Sequence, residues 1–184
     1  MSSVPSLPSV LSAAAIGIGV SFALYIFRRP RIRIAKSVYL QGMGDLKVIK
    51  QTVGNKIHVT LDFGVPKLPF CSAVVTAAGT IYVSGAVGAK MDGGRLMVVP
   101  GGPQQEALQT MRTIEACLKA CGAGLEHVTM VHAYLVNYSF ERFDSMNKGY
   151  LEAWGSRPLP SRICTGTDHV GLGGAVEMDA IAQL

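Results

Sequence analysis

Paired cysteine motifs are missing from this chain of 184 residues. None of its four cysteines forms a CxxC pair, so the ligand spacing of a zinc site is absent. A chain of this length also needs no disulfide bonds to hold its core together. These absences exclude a disulfide scaffold and predict reduced thiols in a compartment like the cytosol. The cysteines are Cys71, Cys117, Cys121 and Cys164.

The chain also lacks the features of a phosphate loop and of a nucleic-acid site. The glycine pairs at 93–94 and 101–102 are not followed by lysine in a strand-loop-helix context, so they predict turns. The net charge is +5, but basic residues are concentrated between Arg28 and Lys36. This concentration weakens the interpretation of the charge as a nucleic-acid surface. No nucleic-acid partner is expected.

Charged residues are absent from one long stretch near the N-terminus, residues 10–27. Its length is close to the roughly 20 apolar residues that cross a bilayer as a helix. We predict a transmembrane anchor at 10–27 after a short tail at 1–9. The tail lacks the positive charge of a signal peptide, whereas the arginines after the anchor place the main domain on the cytosolic side. The mitochondrial outer membrane is one such location. A cleaved transit peptide with the domain in the mitochondrial matrix is the alternative.

Strand and helix patterns divide the rest of the chain into two parts. Residues 28–69 are predicted to form a basic linker with a β-hairpin, whose turn lies near Gly54. Residues 70–184 show the order ββαβαββ, with helices that begin near Pro103 and Ser139. Both helices are amphipathic and need the same apolar surface. The predicted class is therefore α+β, a single sheet with two helices on one face.

Three side chains near the C-terminus are the best candidates for a chemical site. Arg162 and Cys164 are two residues apart on a short strand, so their side chains emerge on the same face. If that strand pairs with the last strand, Glu177 joins them. The pocket would then hold a guanidinium for a planar carboxylate and a carboxylate for a water molecule. A structural salt bridge between Arg162 and Glu177 at a subunit contact explains the same pattern.

Other reactive side chains have simpler explanations. Cys117 and Cys121 lie four residues apart on a helix, where packing explains them better than a metal or redox pair. His132 has no serine or cysteine partner in a motif and is expected to be a buried, hydrogen-bonded ring. Cys164 has no base beside it in the sequence, so we expect packing or substrate contact rather than a nucleophile.

Four segments resemble those of one protein family. PSRIC at 160–164 and VEMDAIA at 176–182 match its closing P-x-R-x-C and (I/V)-E-(I/M)-(E/D)-A-(I/V)-A elements. IYVSG at 81–85 resembles its early strand, and FDSMN at 143–147 resembles its second helix. From about residue 70 to the C-terminus, the chain is therefore similar to the reactive intermediate deaminase family, also called RidA or YjgF-like.

The resemblance implies hydrolysis of 2-imino or enamine acids to 2-oxo acids and ammonia, by a homotrimer whose clefts lie between subunits. The family's arginine grips the substrate carboxylate and its glutamate orients water on the imine carbon, and these roles fall on Arg162 and Glu177. Ser84 and Cys164 are expected to line the cleft, and neither metal nor organic cofactor is expected. Phe70 lies near the position of a tyrosine that often contacts substrate, so substrate preference is open.

Two rival functions accompany this interpretation. A non-catalytic trimer tethered to a membrane would bind a small carboxylate or a protein partner through the same clefts, and would tolerate loss of Glu177. Ribonuclease activity has been attributed to some family members. The domain, however, has no paired-histidine motif, no carboxylate cluster for a metal and no aromatic stacking set, so this function ranks last.

Overall fold

The computed structural model describes residues 32–184, within which the chain forms ten strands and two α-helices. The strands are β1 (Ser37–Leu40), β2 (Gly44–Val53), β3 (Lys56–Asp62), β4 (Ala73–Val75), β5 (Thr80–Val87), β6 (Ala89–Asp92), β7 (Arg95–Val98), β8 (Val128–Val136), β9 (Ser161–Thr167) and β10 (Val176–Gln183). The helices are α1 (Gly102–Ala120) and α2 (Phe140–Trp154), and short 3-10 helices lie at Leu125–His127 and Gly171–Gly173.

Eight strands form one sheet in the order β1-β2-β3-β4-β5-β10-β8-β9. Neighbouring strands are antiparallel except β8 and β9, which are parallel and are joined through α2. β6 and β7 form a separate hairpin. The pairing of β5 with β10 is irregular between Met178 and Ala180, opposite Ser84 and Gly85. Such a bulge changes the direction of the side chains beside it.

Local sequence explains where the two helices begin and end. α1 has Pro103 in its first turn and is followed by Gly122, whose φ of 82° suits a residue without a Cβ. α2 begins after Ser139, whose side chain accepts a hydrogen bond from the backbone N–H of Arg142 at 3.2 Å. It ends at Trp154 and is followed by Gly155, whose φ is 64°. The predicted class, an α+β fold with one large sheet and two helices, is confirmed.

The two faces of the sheet differ in what covers them. On one face the alternate residues of β10 are buried in the core that the helices complete. These residues are Val176, Met178, Ala180 and Ala182. Trp154 of α2 lies in the same core and donates from its ring N–H to the carbonyl of Pro158 at 2.7 Å. Glu177, Asp179 and Ile181 lie on the opposite face, which we call the open face, and are half-buried.

β1, β2 and β3 extend the same sheet beyond the ββαβαββ order. β2 and β3 form a hairpin around Gly54, whose φ is 59°. Leu40 of β1 and Leu46 of β2 belong to the core, and the backbone N–H of Ala35 donates to the carbonyl of Ala120 at 2.9 Å. The boundary at residue 70 stays a prediction, whereas the sheet itself continues back to Ser37.

The localisation expected from the sequence requires a correction. Within residues 32–184, no helix is long and apolar enough to cross a membrane. The anchor predicted at 10–27 and the tail at 1–9 lie outside the described residues. That expectation rested on hydropathy and flanking charge, which measure apolar content and not a folded span. The membrane-anchored localisation, with its mitochondrial variants, is not supported and plays no part in the function proposed below.

Candidate active site

Arg162 is held in one orientation by side chains of α2. Its Nη2 donates to Oδ1 of Asn147 at 2.7 Å. The guanidinium carbon lies 4.5 Å from the ring centroid of Tyr150 and 5.7 Å from that of Phe143. A cation over an aromatic ring is stabilised by the negative face of the ring. Residues 143, 147 and 150 recur at helical spacing, so one side of α2 forms this cradle.

Cys164 lies on the same side of β9 as Arg162. The two residues are level with Ala133 and Val131 of β8, both of which are buried on the helix-covered face. Burial raises the pKa of the Cys164 thiol, and the nearby Arg162 offsets only part of that rise. The thiol is therefore protonated at neutral pH, which fits packing or substrate contact better than a nucleophile.

Glu177 is fixed on the open face by backbone groups. Its Oε2 accepts a hydrogen bond from the N–H of Gly171 at 3.1 Å. Its Oε1 lies over Gly85, where a Cβ would collide with the carboxylate. Gly85 is part of the bulge in β5, so a glycine at this point makes room for the Glu177 side chain.

A cavity of about 1250 Å³ opens beside Glu177. Ser84 and Phe70, both predicted to line a cleft, belong to its wall. The Ser84 hydroxyl donates to the carbonyl of Cys71 at 2.7 Å, so its oxygen retains accepting capacity. Phe70 is 53% exposed and presents a ring without a hydroxyl. His58 also lines the cavity, and its Nδ1 lies 3.7 Å from the Cys71 sulfur.

Within one chain, the expected meeting of Arg162 and Glu177 does not occur. The prediction assumed that β9 pairs with β10, and this is wrong because β8 lies between them. Glu177 is level with Tyr134, which is 38% exposed on the open face, whereas Arg162 is level with the buried Val131. Arg162 and Glu177 therefore lie on opposite faces of the sheet, and a salt bridge between them inside one chain is excluded.

Glu106 is a buried carboxylate that the sequence analysis missed. It lies on α1, is 5% exposed, and its Oε2 accepts from the N–H groups of Ala175 at 2.5 Å and Val176 at 3.2 Å. It thus anchors the chain just before Glu177 from the helix-covered side. A sequence signal exists: Glu106, Gln109, Thr110 and Thr113 form a polar row at spacings of three and four on α1.

The remaining candidates are two cysteines in the core and one histidine on the open face. Cys117 and Cys121 are core residues, and burial raises the pKa of each thiol to about 12. The Nδ1 of His132 lies 2.6 Å from Oδ1 of Asp179 on the open face. Within the part of the chain that the structure describes, no group of three histidine, cysteine or acidic residues is placed to hold a metal ion.

Fold and site together define a class of protein: a small α+β domain with a cradled arginine on one face of its sheet and a backbone-anchored glutamate on the other. The sequence profile of the Endoribonuclease L-PSP family matches residues 64–184. The chain therefore belongs to this family, which includes the RidA and YjgF proteins.

Individual relatives agree with this assignment. RutC family protein UK114 of Drosophila melanogaster is 30% identical over 131 residues, which cover 71% of this chain and 91% of the relative. The 2-iminobutanoate/2-iminopropanoate deaminase of Bos taurus is 34% identical over 114 residues, 62% of this chain and 79% of the relative. The crystal structure of RidA from Psychrobacter sp. PAMC 21119 is 23% identical and superimposes with a TM-score of 0.55, covering 65% and 92% of the two chains. This last similarity shows the fold.

Proposed function

We propose that this protein hydrolyses 2-imino acids, or their enamine tautomers, to 2-oxo acids and ammonia. The observation that carries the proposal is the pair of fixed groups: an arginine cradled by Asn147 and Tyr150, and the Glu177 carboxylate at the wall of a cavity. Support comes from relatives that are 2-iminobutanoate/2-iminopropanoate deaminases, one of them 34% identical.

Arg162 is proposed to bind the substrate carboxylate. Its bond to Asn147 uses one terminal nitrogen, and the other N–H groups of the guanidinium remain for a planar carboxylate. Because the aromatic rings beneath it limit its motion, the substrate is bound in one orientation. Cys164, neutral and two residues along the strand, contacts the substrate next to this arginine.

Glu177 is proposed to orient the attacking water and to transfer its protons. The carboxylate takes a proton from water as the oxygen bonds to the imine carbon, and it passes this proton to the imine nitrogen, which gives a carbinolamine. Glu177 then moves the hydroxyl proton to the amino nitrogen as the carbon–nitrogen bond breaks, the carbonyl forms and ammonia leaves. A 2-imino acid is already electrophilic at carbon, so positioning and a modest acid–base group suffice.

A site that contains both groups requires two copies of the chain, because Arg162 and Glu177 lie on opposite faces of one sheet. We propose the homotrimer implied by the family resemblance, with Arg162 of one copy completing the cavity of another. Exposed apolar side chains on the open face support contact with a second copy. They include Tyr82, Tyr134 and Ile163, which are 50%, 38% and 50% exposed.

The test uses the full chain and imines generated by an amino-acid oxidase. We expect accelerated release of the 2-oxo acid, and a loss of about 10²-fold or more in kcat/KM for Arg162→Ala and Glu177→Gln. Arg95→Ala and Glu152→Gln remove the same charges from exposed positions and serve as controls. No acceleration with any imine by the folded protein would overturn the proposal and favour a trimer that only binds a small carboxylate.

A further inference from the structure

Glu106 contacts β10 from the helix-covered side, immediately before Glu177 projects from the open face. Its Oε2 accepts from the N–H groups of Ala175 at 2.5 Å and Val176 at 3.2 Å, and the next residue is Glu177. Only 5% of Glu106 is exposed. Hydrogen bonds to a carboxylate are stronger than bonds between neutral groups. Glu106 therefore holds the start of β10 more firmly than a neutral side chain would.

The backbone of Ala175 is fixed on its carbonyl side as well. This carbonyl accepts from the N–H of Val136, the last residue of β8, at 2.9 Å. Both polar groups of the Ala175 backbone are thus paired, one with α1 and one with β8. The start of β10 cannot shift without breaking one of these bonds.

The loop before β10 contacts Glu106 at one end and Glu177 at the other. At the first end, a Cβ added to Gly174 would lie only 3.0 Å from Oε2 of Glu106. At the other end, the N–H of Gly171 donates to Oε2 of Glu177 at 3.1 Å. The N–H of Gly174 also donates to the carbonyl of Gly171 at 3.2 Å, which links the two ends. A shift of the loop at Glu106 therefore moves the donor that orients Glu177.

Leu172 gives this loop a tendency to relax. Its φ is 58°, in the left-handed region that residues with a Cβ rarely adopt. Such a backbone conformation persists only where the surrounding contacts maintain it. The two bonds from Glu106 fix the backbone that follows the loop. Their loss would let Leu172 relax and would shift the neighbouring N–H of Gly171.

Glu106 also contacts the strand that carries Gly85. Gly88 follows β5 and lies so close to α1 that a Cβ there would collide with the backbone carbonyl of Glu106. Val87, the residue before Gly88, is level with Glu177 in the pairing of β5 with β10. The two strands that bring Gly85 and Glu177 together are thus both held by one residue of α1. All of these contacts lie within one copy of the chain and do not depend on a second copy.

We propose that Glu106 is a positioning residue for imine hydrolysis. By fixing the loop and the start of β10, it keeps the Glu177 carboxylate in the orientation that the proton transfers require. Glu106 contacts neither the substrate nor the reacting atoms, because it lies on the helix-covered side of the sheet. This inference rests on the proposed hydrolysis and adds one residue to it.

The test measures kcat and KM of full-length variants with imines that an L-amino-acid oxidase generates from alanine and leucine. Glu106→Leu is expected to lower kcat by about tenfold to 10²-fold, because a small misplacement of a catalytic group has effects of this size. KM should change by less than about twofold, because Arg162 binds the substrate carboxylate and keeps its cradle. Glu106→Gln retains an oxygen acceptor and should recover most of the lost kcat.

Leu118→Ala is the control for a loss of stability. It truncates a fully buried side chain farther along α1, so its melting temperature should fall. At a temperature at which all variants are folded, its kcat should equal that of wild type. If Glu106→Leu does not fold, Gly174→Ala replaces it. The added Cβ pushes on Oε2 of Glu106 and should lower kcat at constant KM.

A double variant tests whether Glu106 acts through Glu177. When Glu106→Leu is added to Glu177→Gln, the residual kcat should stay the same, because the effects of residues that act as a unit are not additive. A further loss as large as that in the wild-type background would show that Glu106 acts on something other than Glu177, and would overturn the inference.

The remaining outcomes separate this inference from the proposed function. Wild-type kcat in a folded Glu106→Leu variant overturns the inference and leaves imine hydrolysis standing. The same holds if Leu118→Ala lowers kcat as much as Glu106→Leu. If the wild-type protein accelerates the hydrolysis of neither imine, the proposed function fails and this inference fails with it.

Discussion

The helix-covered face and the open face of the sheet fix their functional groups by different means. Arg162, on the first face, is oriented by side chains of α2: an amide oxygen and two aromatic rings. Glu177, on the open face, is oriented by a backbone N–H and by the space over Gly85. The orientation of Arg162 thus depends on the side chains of α2, whereas the orientation of Glu177 depends on the path of the backbone around it.

The largest predicted effect tests whether the two faces meet only between copies. Arg162→Ala and Glu177→Gln, each expected to lose about 10²-fold or more in kcat/KM alone, are co-expressed with different affinity tags. Every mixed cyclic trimer has one intact site of its three, and random mixing makes about three quarters of the trimers mixed, so about a quarter of the wild-type activity should return to the unfractionated mixture. Absence of any recovery in verified mixed trimers would show that the two residues do not share a site between copies.

Gly85→Ala breaks the arrangement on the open face. The added Cβ collides with the Glu177 carboxylate, which must turn away from the cavity. We expect kcat to fall by about 10²-fold, comparable to misplacement of a catalytic group, with little change in thermal stability. Steady-state kinetics and a melting curve check this. Wild-type kcat in the variant would mean that the observed carboxylate position is not the catalytic one.

Glu106→Leu removes the carboxylate that binds the backbone just before Glu177 from the helix-covered side. The N–H groups of Ala175 and Val176 lose their acceptor inside the core. The free energy of unfolding should fall by about 2–3 kcal/mol, measured by urea denaturation. Glu106→Gln retains an accepting oxygen and should recover part of this loss. The exposed Glu152→Leu is the surface control, and an equal loss there would rule out a specific anchor.

Asn147→Ala weakens the cradle on the helix-covered face without touching Glu177. Loss of a hydrogen bond to a charged group costs about 1.5–3 kcal/mol in similar settings. Because Arg162 would still be present but less well oriented, we expect KM to rise by about tenfold while kcat changes less. Asn147→Asp, which keeps the oxygen acceptor, should preserve more of the affinity. A fall in kcat at constant KM would contradict the carboxylate-binding role of Arg162.

The last predicted effect appears only at alkaline pH and comes from the buried thiols beneath the helix-covered face. Burial raises the pKa of Cys117 and Cys121 from 9.0 to about 12. In the unfolded chain both thiols ionise above pH 9, whereas in the folded chain they remain neutral up to about pH 12. Their contribution to stability is therefore complete below pH 9 and is lost between pH 9 and 12.

Denaturation of wild type and Cys117→Ala across that pH range isolates this contribution. Tyrosines and lysines titrate in both proteins, so only the difference between the two slopes belongs to the thiol. The variant should lose stability less steeply with rising pH. Parallel curves would show that Cys117 is not protected from ionisation.

Periodicity in the sequence predicted the elements that carry these groups. The amphipathic patterns that begin near Pro103 and Ser139 predicted α1 and α2, and the spacing of two residues predicted that Arg162 and Cys164 share one side of β9. It missed the hairpin of β6 and β7, because strands of four residues are too short for a clear alternation. It also missed Glu106, whose acceptor role depends on N–H groups about 70 positions away.

What the sequence by itself determined is the set of local features: two amphipathic helices, the shared face of Arg162 and Cys164, and the family motif that includes Glu177. The tertiary structure decided that β8 separates β9 from β10, which puts Arg162 and Glu177 on opposite faces. Period and spacing fix which side of its own strand a residue occupies. Strand order, in contrast, depends on contacts between distant parts of the chain, because hydrogen bonding along a strand edge accepts many partners and only packing of the whole core selects one.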